Sequence, residues 1–242
     1  MIVFDVEAVP LEGDEIHPDI FESINEKYSK IPKTIKTDEA IIRKIAENAI
    51  KRIKSMSVDP YLCKPVAICL ITDCDYHSGK INGDHISFTG SEGDMLQGYW
   101  DVIDKTRHMQ NSASYLTFNG KKYDVPLLMA RSAFHGIKPS LDVSTRRYEM
   151  FPHCDLYEVL QVDYKNFKSL DFYCKYFGIP SPKNDFEASM VYEAYKNGGE
   201  DGLKKIVSYC FDDCEALFKL FYKVAPVYYR PQTSRYSPTS LY

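Results

Sequence analysis

The chain carries 242 residues, 44% hydrophobic and 26% charged, with a formal net charge of -4 at pH 7, and that length suffices for one substantial core with an elaboration. No apolar run reaches the roughly 18 residues of a membrane-spanning helix, so no membrane span is expected. Seven cysteines, an odd number without a Cys-x-x-Cys pair, point to reduced thiols in a cytoplasm and away from a disulfide framework; the spacing of Cys63, Cys69, Cys74 and His77 suits zinc poorly.

The first element is the apolar run Ile2-Val3-Phe4-Asp5-Val6-Glu7-Ala8-Val9, read as a buried strand near residues 2–8. It starts at residue 2, which leaves no room for a signal peptide. Strand side chains alternate faces, so Asp5 and Glu7 point the same way. Two like charges side by side in an apolar strand are costly unless a cation lies between them, and oxygen ligands select hard divalent ions such as magnesium or manganese. The rival reading is an exposed edge strand, which Ile2, Phe4, Val6 and Val9 oppose.

A helical insertion follows over about residues 20–58. Residues 1 to 26 hold eight Asp or Glu and no Lys or Arg, whereas Lys27 to Lys54 hold nine Lys or Arg against three Asp or Glu. Within it, roughly residues 38–54 form an amphipathic helix with Ile42, Ile45, Ala46, Ala49 and Ile53 on one side. Its basic side either contacts phosphates or is a solvated face capping the core. Next come a strand near 65–73, a hairpin or edge strand near 80–89, a helix near 92–106 and a strand near 113–118.

That strand ends in Phe118-Asn119-Gly120, a strong turn signal, and Asp124 then stands two residues before Pro126, at the start of a helix near 125–136. Asp124 therefore projects from a strand-to-helix junction, although aspartate also favours helix starts for local reasons. A short strand near 151–156 and helices near 167–177, 186–196 and 200–223 complete the chain. In the last helix Tyr209 and Asp213 are four apart and share a face. Asp213 lies on the stripe of Ile206, Cys210, Leu217 and Leu220, and Asp212 lies with Lys205, Ser208, Glu215 and Lys219, so Asp213 is taken as functional and Asp212 as solvated. From Tyr228 the tail is polar and turn-rich, expected to be loosely ordered, leaving residues 1–227 as one domain. Pattern alone says α/β.

Phe-Asp-x-Glu, Phe-Asn-Gly-x-x-Tyr-Asp and Tyr-x-x-x-Asp, in that order, resemble the DEDD 3'-5' exonuclease superfamily in its tyrosine subclass. The chain looks most like stand-alone proteins related to the proofreading exonuclease domain of family B DNA polymerases. Pro65-Val66-Ala67-Ile68, His153-Cys154-Asp155-Leu156, Lys168-Ser169-Leu170 and Phe177-Gly178-Ile179-Pro180 extend the likeness over nearly the whole chain. The resemblance implies a ribonuclease H-like mixed sheet flanked by helices. It implies that Asp5, Glu7, Asp124 and Asp213 bind two Mg2+ or Mn2+ ions, with Tyr209 orienting the attacking water.

As substrate contacts, Asn119 either braces the turn or reaches the terminal nucleotide, Lys121 and Lys122 touch phosphate or are merely solvated, and Phe118 stacks on a base or packs in the core. Asp155 is left outside the ligand set. Three functions follow: an exonuclease on single-stranded DNA, working with replication or repair proteins; an RNA-trimming exonuclease; or a module of this fold that binds without cutting.

Overall fold

The computed structural model describes residues 1–110, 114–140, 143–147, 149–161, 167–181 and 185–228. Strand β1 (Ile2–Pro10) leads, through a 3-10 turn, into helices α1 (Pro18–Ser29) and α2 (Asp38–Met56), then strand β2 (Cys63–Ile71). Two short strands, β3 (Cys74–Asp75) and β4 (Lys80–Ile81), pair as a small separate sheet, and β5 (His85–Phe88) follows. Helix α3 (Glu92–Gln110), strand β6 (Tyr115–Thr117), helix α4 (Asp124–Phe134) and strand β7 (His153–Asp155) come next. Helices α5 (Leu156–Leu160), α6 (Leu170–Phe177), α7 (Val191–Asn197) and α8 (Gly199–Tyr228) finish the described chain. The tail expected from Tyr228 falls beyond residue 228, outside the described residues.

The main sheet has five strands in the order β5-β2-β1-β6-β7. β1 is central because its residues are apolar on both faces: it pairs antiparallel with β2 and parallel with β6. One face carries Ile2, Phe4, Val6, Ile68 and Leu70 against Leu96, Tyr99, Trp100 and Ile103 of α3 and Leu127 and Leu128 of α4. The other carries Val3, Cys69 and Ile71 against Cys210, Cys214, Leu217, Phe218 and Phe221 of α8. This is a mixed α/β sheet flanked by helices. All seven cysteines are free and buried.

Two expectations change. The short strand near 151–156 stops at Asp155, whose carboxylate accepts the Tyr157 N–H at 3.1 Å and starts α5, a helix not anticipated from sequence. The insertion is a pair of helices rather than a cap on the core: of α2 only Met56 is buried, while Ile42 and Ile45 are 67% and 54% exposed. The helix packs chiefly on α1, and the base of the hairpin joins Leu11, Ile16 and Leu62. No described helix is long and apolar enough to cross a membrane.

Candidate functional site

Asp5 and Glu7 sit on the face of β1 that looks toward α8, as the alternation requires, and the pairing of β1 with β2 shifts register between Glu7 and Ala8. A bulge at this point re-aims side chains beside a site. Asp5 is half-buried and Glu7 buried at 9% exposure. Asp5, Glu7 and Cys210 bring potential ligand atoms within 4.8 Å of one another. The Cys210 thiol donates to Asp5, 3.5 Å from Oδ2 and 3.4 Å from the main-chain carbonyl. Burial holds that thiol well above its usual range, so it stays neutral.

Asp124 opens α4 and is buried. Its position is set by the turn before it. Asn119 adopts a left-handed φ of 64°, a conformation asparagine tolerates. Its N–H donates to Asp155 Oδ1 at 2.7 Å, and the Lys121 N–H donates to Asp155 Oδ2 at 3.0 Å. The Gly120 carbonyl accepts the Val125 N–H at 2.8 Å. Both oxygens of Asp155 are thus taken up by main-chain N–H groups; it is the peg on which the turn hangs, and burial pushes its own pKa up to about 6.

Tyr209 and Asp213 come from α8, one helical turn apart, and share a hydrogen bond. Asp5, Tyr209 and Asp213 line a cleft of about 210 Å³ together with Phe118, Asn119, Phe167, Ser169, Asp171 and Leu217. Glu7 and Asp124 are outside that lining but within electrostatic reach of Asp5. Burial first, then Asp5, Asp213 and Asp124, raise Glu7 well above the carboxylate range. Burial and then Asp5 and Asp155 do the same to Asp124. Burial pushes Asp5 up to about 6 against hydrogen bonds from Cys210 and the Val6 N–H. Tyr209 is raised by burial and then by Asp213, Glu7 and Asp5, so its phenol keeps its proton.

Asp5 and Asp213 thus line the cleft, and Glu7, within electrostatic reach of Asp5, Asp213 and Asp124, links them into a group of four carboxylates from three elements. Asp212 differs from its expected solvation: it is half-buried and lines a larger recess of about 770 Å³ on the other side of Tyr209. Phe118 stands in the cleft wall, edge-on to Tyr157 and Tyr173 at centroid distances of 5.5 and 6.0 Å. Asn119 both braces the turn and lines the cleft.

Lys122 is exposed. Lys121 is a correction: it is 4% exposed, and its ammonium donates to the carbonyls of Arg146 at 2.7 Å and Glu149 at 2.5 Å, with the Glu158 carboxylate 3.5 Å away. It anchors a loop and has no free face for phosphate. Five cleft residues escaped the sequence reading as site residues: Phe167, Ser169, Leu170, Asp171 and Leu217. A signal existed in Ser169-Leu170-Asp171, since Ser169 caps α6 by accepting the Phe172 N–H at 3.2 Å.

Residues 58–238 match the family described as "Predicted 3'-5' exonuclease related to the exonuclease domain of PolB". The matched stretch contains Asp124, Tyr209 and Asp213, and Asp5 and Glu7 precede it. Among solved structures the chain is similar in fold to the family B DNA polymerase of the hyperthermophilic archaeon Pyrobaculum calidifontis, with a TM-score of 0.57 and 16% identity. That match covers 93% of this chain and 24% of the polymerase chain. No curated protein matches.

Proposed function

The chain belongs to the family of predicted 3'-5' exonucleases related to the exonuclease domain of PolB, and from that premise we propose that it is a metal-dependent exonuclease that shortens single-stranded DNA from the 3' end and releases nucleoside 5'-monophosphates. The observation that carries the reading is the convergence of Asp5, Glu7, Asp124 and Asp213 from three elements: Asp5 and Glu7 bring ligand atoms within 4.8 Å of each other, Asp5 and Asp213 line one cleft, and Glu7 is raised, after burial, by Asp5, Asp213 and Asp124. A charge cluster this desolvated is a stability cost without a cation. Among the described residues no Lys or Arg lines the cleft beside it.

The donor set fits hard divalent ions. Oxygen dominates it, and the sulfur whose position allows ligation beside Asp5 and Glu7, that of Cys210, is a neutral thiol turned toward Asp5 as a donor. Asp5, Glu7, Asp124 and Asp213 would hold two Mg2+ or Mn2+ ions, which when bound activate water and offset charge developing on the departing 3' oxygen. Tyr209, its proton retained, orients the attacking water by hydrogen bonding and is too weak an acid to serve as base at neutral pH. Phe118 and Asn119 receive the terminal nucleotide at the cleft wall. Kinship with a polymerase domain favours DNA over RNA. The same reading treats residues 1–227 as one ribonuclease H-like unit, supported by a central β1 with an antiparallel partner on one side and a parallel one on the other.

The test is cleavage of matched 5'-labelled single-stranded DNA and RNA with magnesium, manganese or EDTA, with Asp213→Ala and Tyr209→Phe alongside. The expected result is a ladder shrinking from the 3' end, faster on DNA, abolished by EDTA or Asp213→Ala, and slowed in turnover more than in binding by Tyr209→Phe. Full activity of Asp213→Ala refutes the metal site, and metal-independent binding of an uncut strand refutes the nuclease.

A further inference from the structure

Helix α6 begins at the cleft, where Ser169, Leu170 and Asp171 line its wall, and runs away from it for eight residues. Its inner face is spent on the core: Cys174 is fully buried, and Leu170, Tyr173 and Phe177 pack on the cluster around α8. The outer face carries Phe172 and Tyr176, 43% and 73% exposed, and Phe167, just ahead of the helix in the cleft wall, is 58% exposed.

Three large rings left in water around one site are a cost that packing does not explain. The buried rings nearby meet edge to face, as Phe118 does with Tyr157 and Tyr173. Phe172 and Tyr176, one turn apart, instead stand nearly parallel, at 15° with centroids 6.3 Å apart. A ring contact joins each exposed group to the cleft: Phe118 to Tyr173 at 6.0 Å, Tyr173 to Phe172 at 5.5 Å, and Tyr157 to Phe167 at 4.9 Å. Cations flank the rings. The Lys168 ammonium lies 5.0 Å from the Phe172 centroid, and Lys175, 65% exposed, lies 3.0 Å from Asp171.

We propose that this outer face of α6, with Phe167 at its entrance, is a stacking platform for the bases of single-stranded DNA behind the 3' terminus. The inference rests on the nuclease reading and extends it to the strand outside the cleft. Ring faces accept any base, and lysines beside them suit the phosphates between bases. The cleft at one end of the platform needs a strand led into it. Eight helical residues span about 12 Å, the length of three to four nucleotides stacked at about 3.4 Å each.

The experiment measures binding of 5'-fluorescein oligothymidylates from two to twelve nucleotides long, with calcium in place of magnesium so that strands stay intact. The proteins are the unaltered chain, Phe172→Ala/Tyr176→Ala, Tyr176→Ala alone and Tyr176→Phe. In the unaltered chain affinity climbs with length and levels off near six nucleotides. The double variant flattens that climb and loses about 30-fold or more at the longer lengths, from two stacking contacts removed; Tyr176→Ala loses less and Tyr176→Phe, which keeps a ring, binds normally. Both positions are exposed, so thermal melts should be unchanged. Superimposable length curves for all four proteins overturn the platform, and cleavage of the twelve-mer in magnesium by the unaltered chain then shows that the nuclease still stands. If the unaltered chain neither binds nor cuts the twelve-mer, the nuclease reading fails and the platform falls with it.

Discussion

Gly120→Ala isolates how the turn delivers Asp124. A Cβ at Gly120 would lie 2.5 Å from both Cβ and Oγ1 of Thr117 and 2.8 Å from Asp124 Oδ2. Thr117 cannot yield: it is fully buried, and its hydroxyl is 2.8 Å from Nε2 of His153, whose Nδ1 lies 2.7 Å from the Ser144 carbonyl. Burial drives the His153 pKa down to about 3, so the ring is neutral, and the carbonyl at Nδ1 makes Nε2 the acceptor of the threonine proton. The other side of the turn is pinned by Asp155. Ordinary contact begins near 3.4 Å, so the turn or the Asp124 carboxylate must move by about 0.6–0.9 Å. A displacement approaching 1 Å in a catalytic group lowers rate about 100-fold, and overpacking costs about 1–3 kcal/mol. The expected outcome is kcat on labelled single-stranded DNA reduced about 100-fold, with a melt lowered by about 3–10 °C. Gly93→Ala is the control, since its added Cβ meets nothing nearer than 3.9 Å. A Gly120→Ala protein as active and stable as that control refutes the reasoning.

Arg131→Ala breaks a bidentate pair with Glu92, at 2.5 and 2.7 Å, whose side chains are only 9% and 14% exposed; a loss of about 3–5 kcal/mol, or about 10 °C, is expected in a thermal melt. Burial raises the Glu92 pKa, but Arg131 and His135 outweigh it and hold it below the usual range, so the contribution of this pair should also fade as pH drops through the acidic range. Asp5 behaves oppositely: its folded pKa is raised to about 6 from 3.8, so the stability linked to it is full below about pH 4 and lost as pH rises through 6. In EDTA, Asp5→Asn should melt like the parent near pH 4 and higher than the parent above pH 6, and added Mg2+ should stabilise the parent alone; equal melts at both pH values contradict this. Lys121→Met should cost about 2–4 kcal/mol by orphaning two carbonyls and removing an ion-pair partner of Glu158, whereas Lys122→Ala should leave the melt within about 0.5 kcal/mol.

Legibility in the sequence followed the strength of local periodicity. The two-residue alternation put Asp5 and Glu7 on one face of β1, because apolar neighbours fix which way a side chain faces, and the helical stripe aimed Asp213 at the cleft, although Asp212 is half-buried like Asp213 and lines the recess beyond Tyr209. The turn at Asn119-Gly120 was legible from its residue types. What failed depended on contacts distant in sequence. Lys121 reads as a surface lysine until residues 146, 149 and 158 close over its ammonium. The sequence leaves Asp155 outside the ligand set, but its structural role emerges only when Asn119, 36 positions away, donates to it. The α2 stripe has a core-facing pattern, yet the hairpin it belongs to leaves the sheet, and no local signal marks that departure.

The fold brings four carboxylates together because each is held by an element whose stability is secured elsewhere. β1 is clasped between two strands and buried by apolar clusters on both faces. Asp124 hangs from a turn pegged by Asp155 and from a helix bolted to α3 through Arg131 and Glu92 and through the Trp100 indole, 2.8 Å from Ser132 Oγ. Tyr209 and Asp213 ride on a 30-residue helix whose buried stripe runs from Ile206 to Val224. The acids therefore ride on three separately anchored bodies, and burial raises the pKa of Asp5, Glu7 and Asp124. Their positions are fixed in advance, which is the preorganisation that bound cations and a phosphodiester would require.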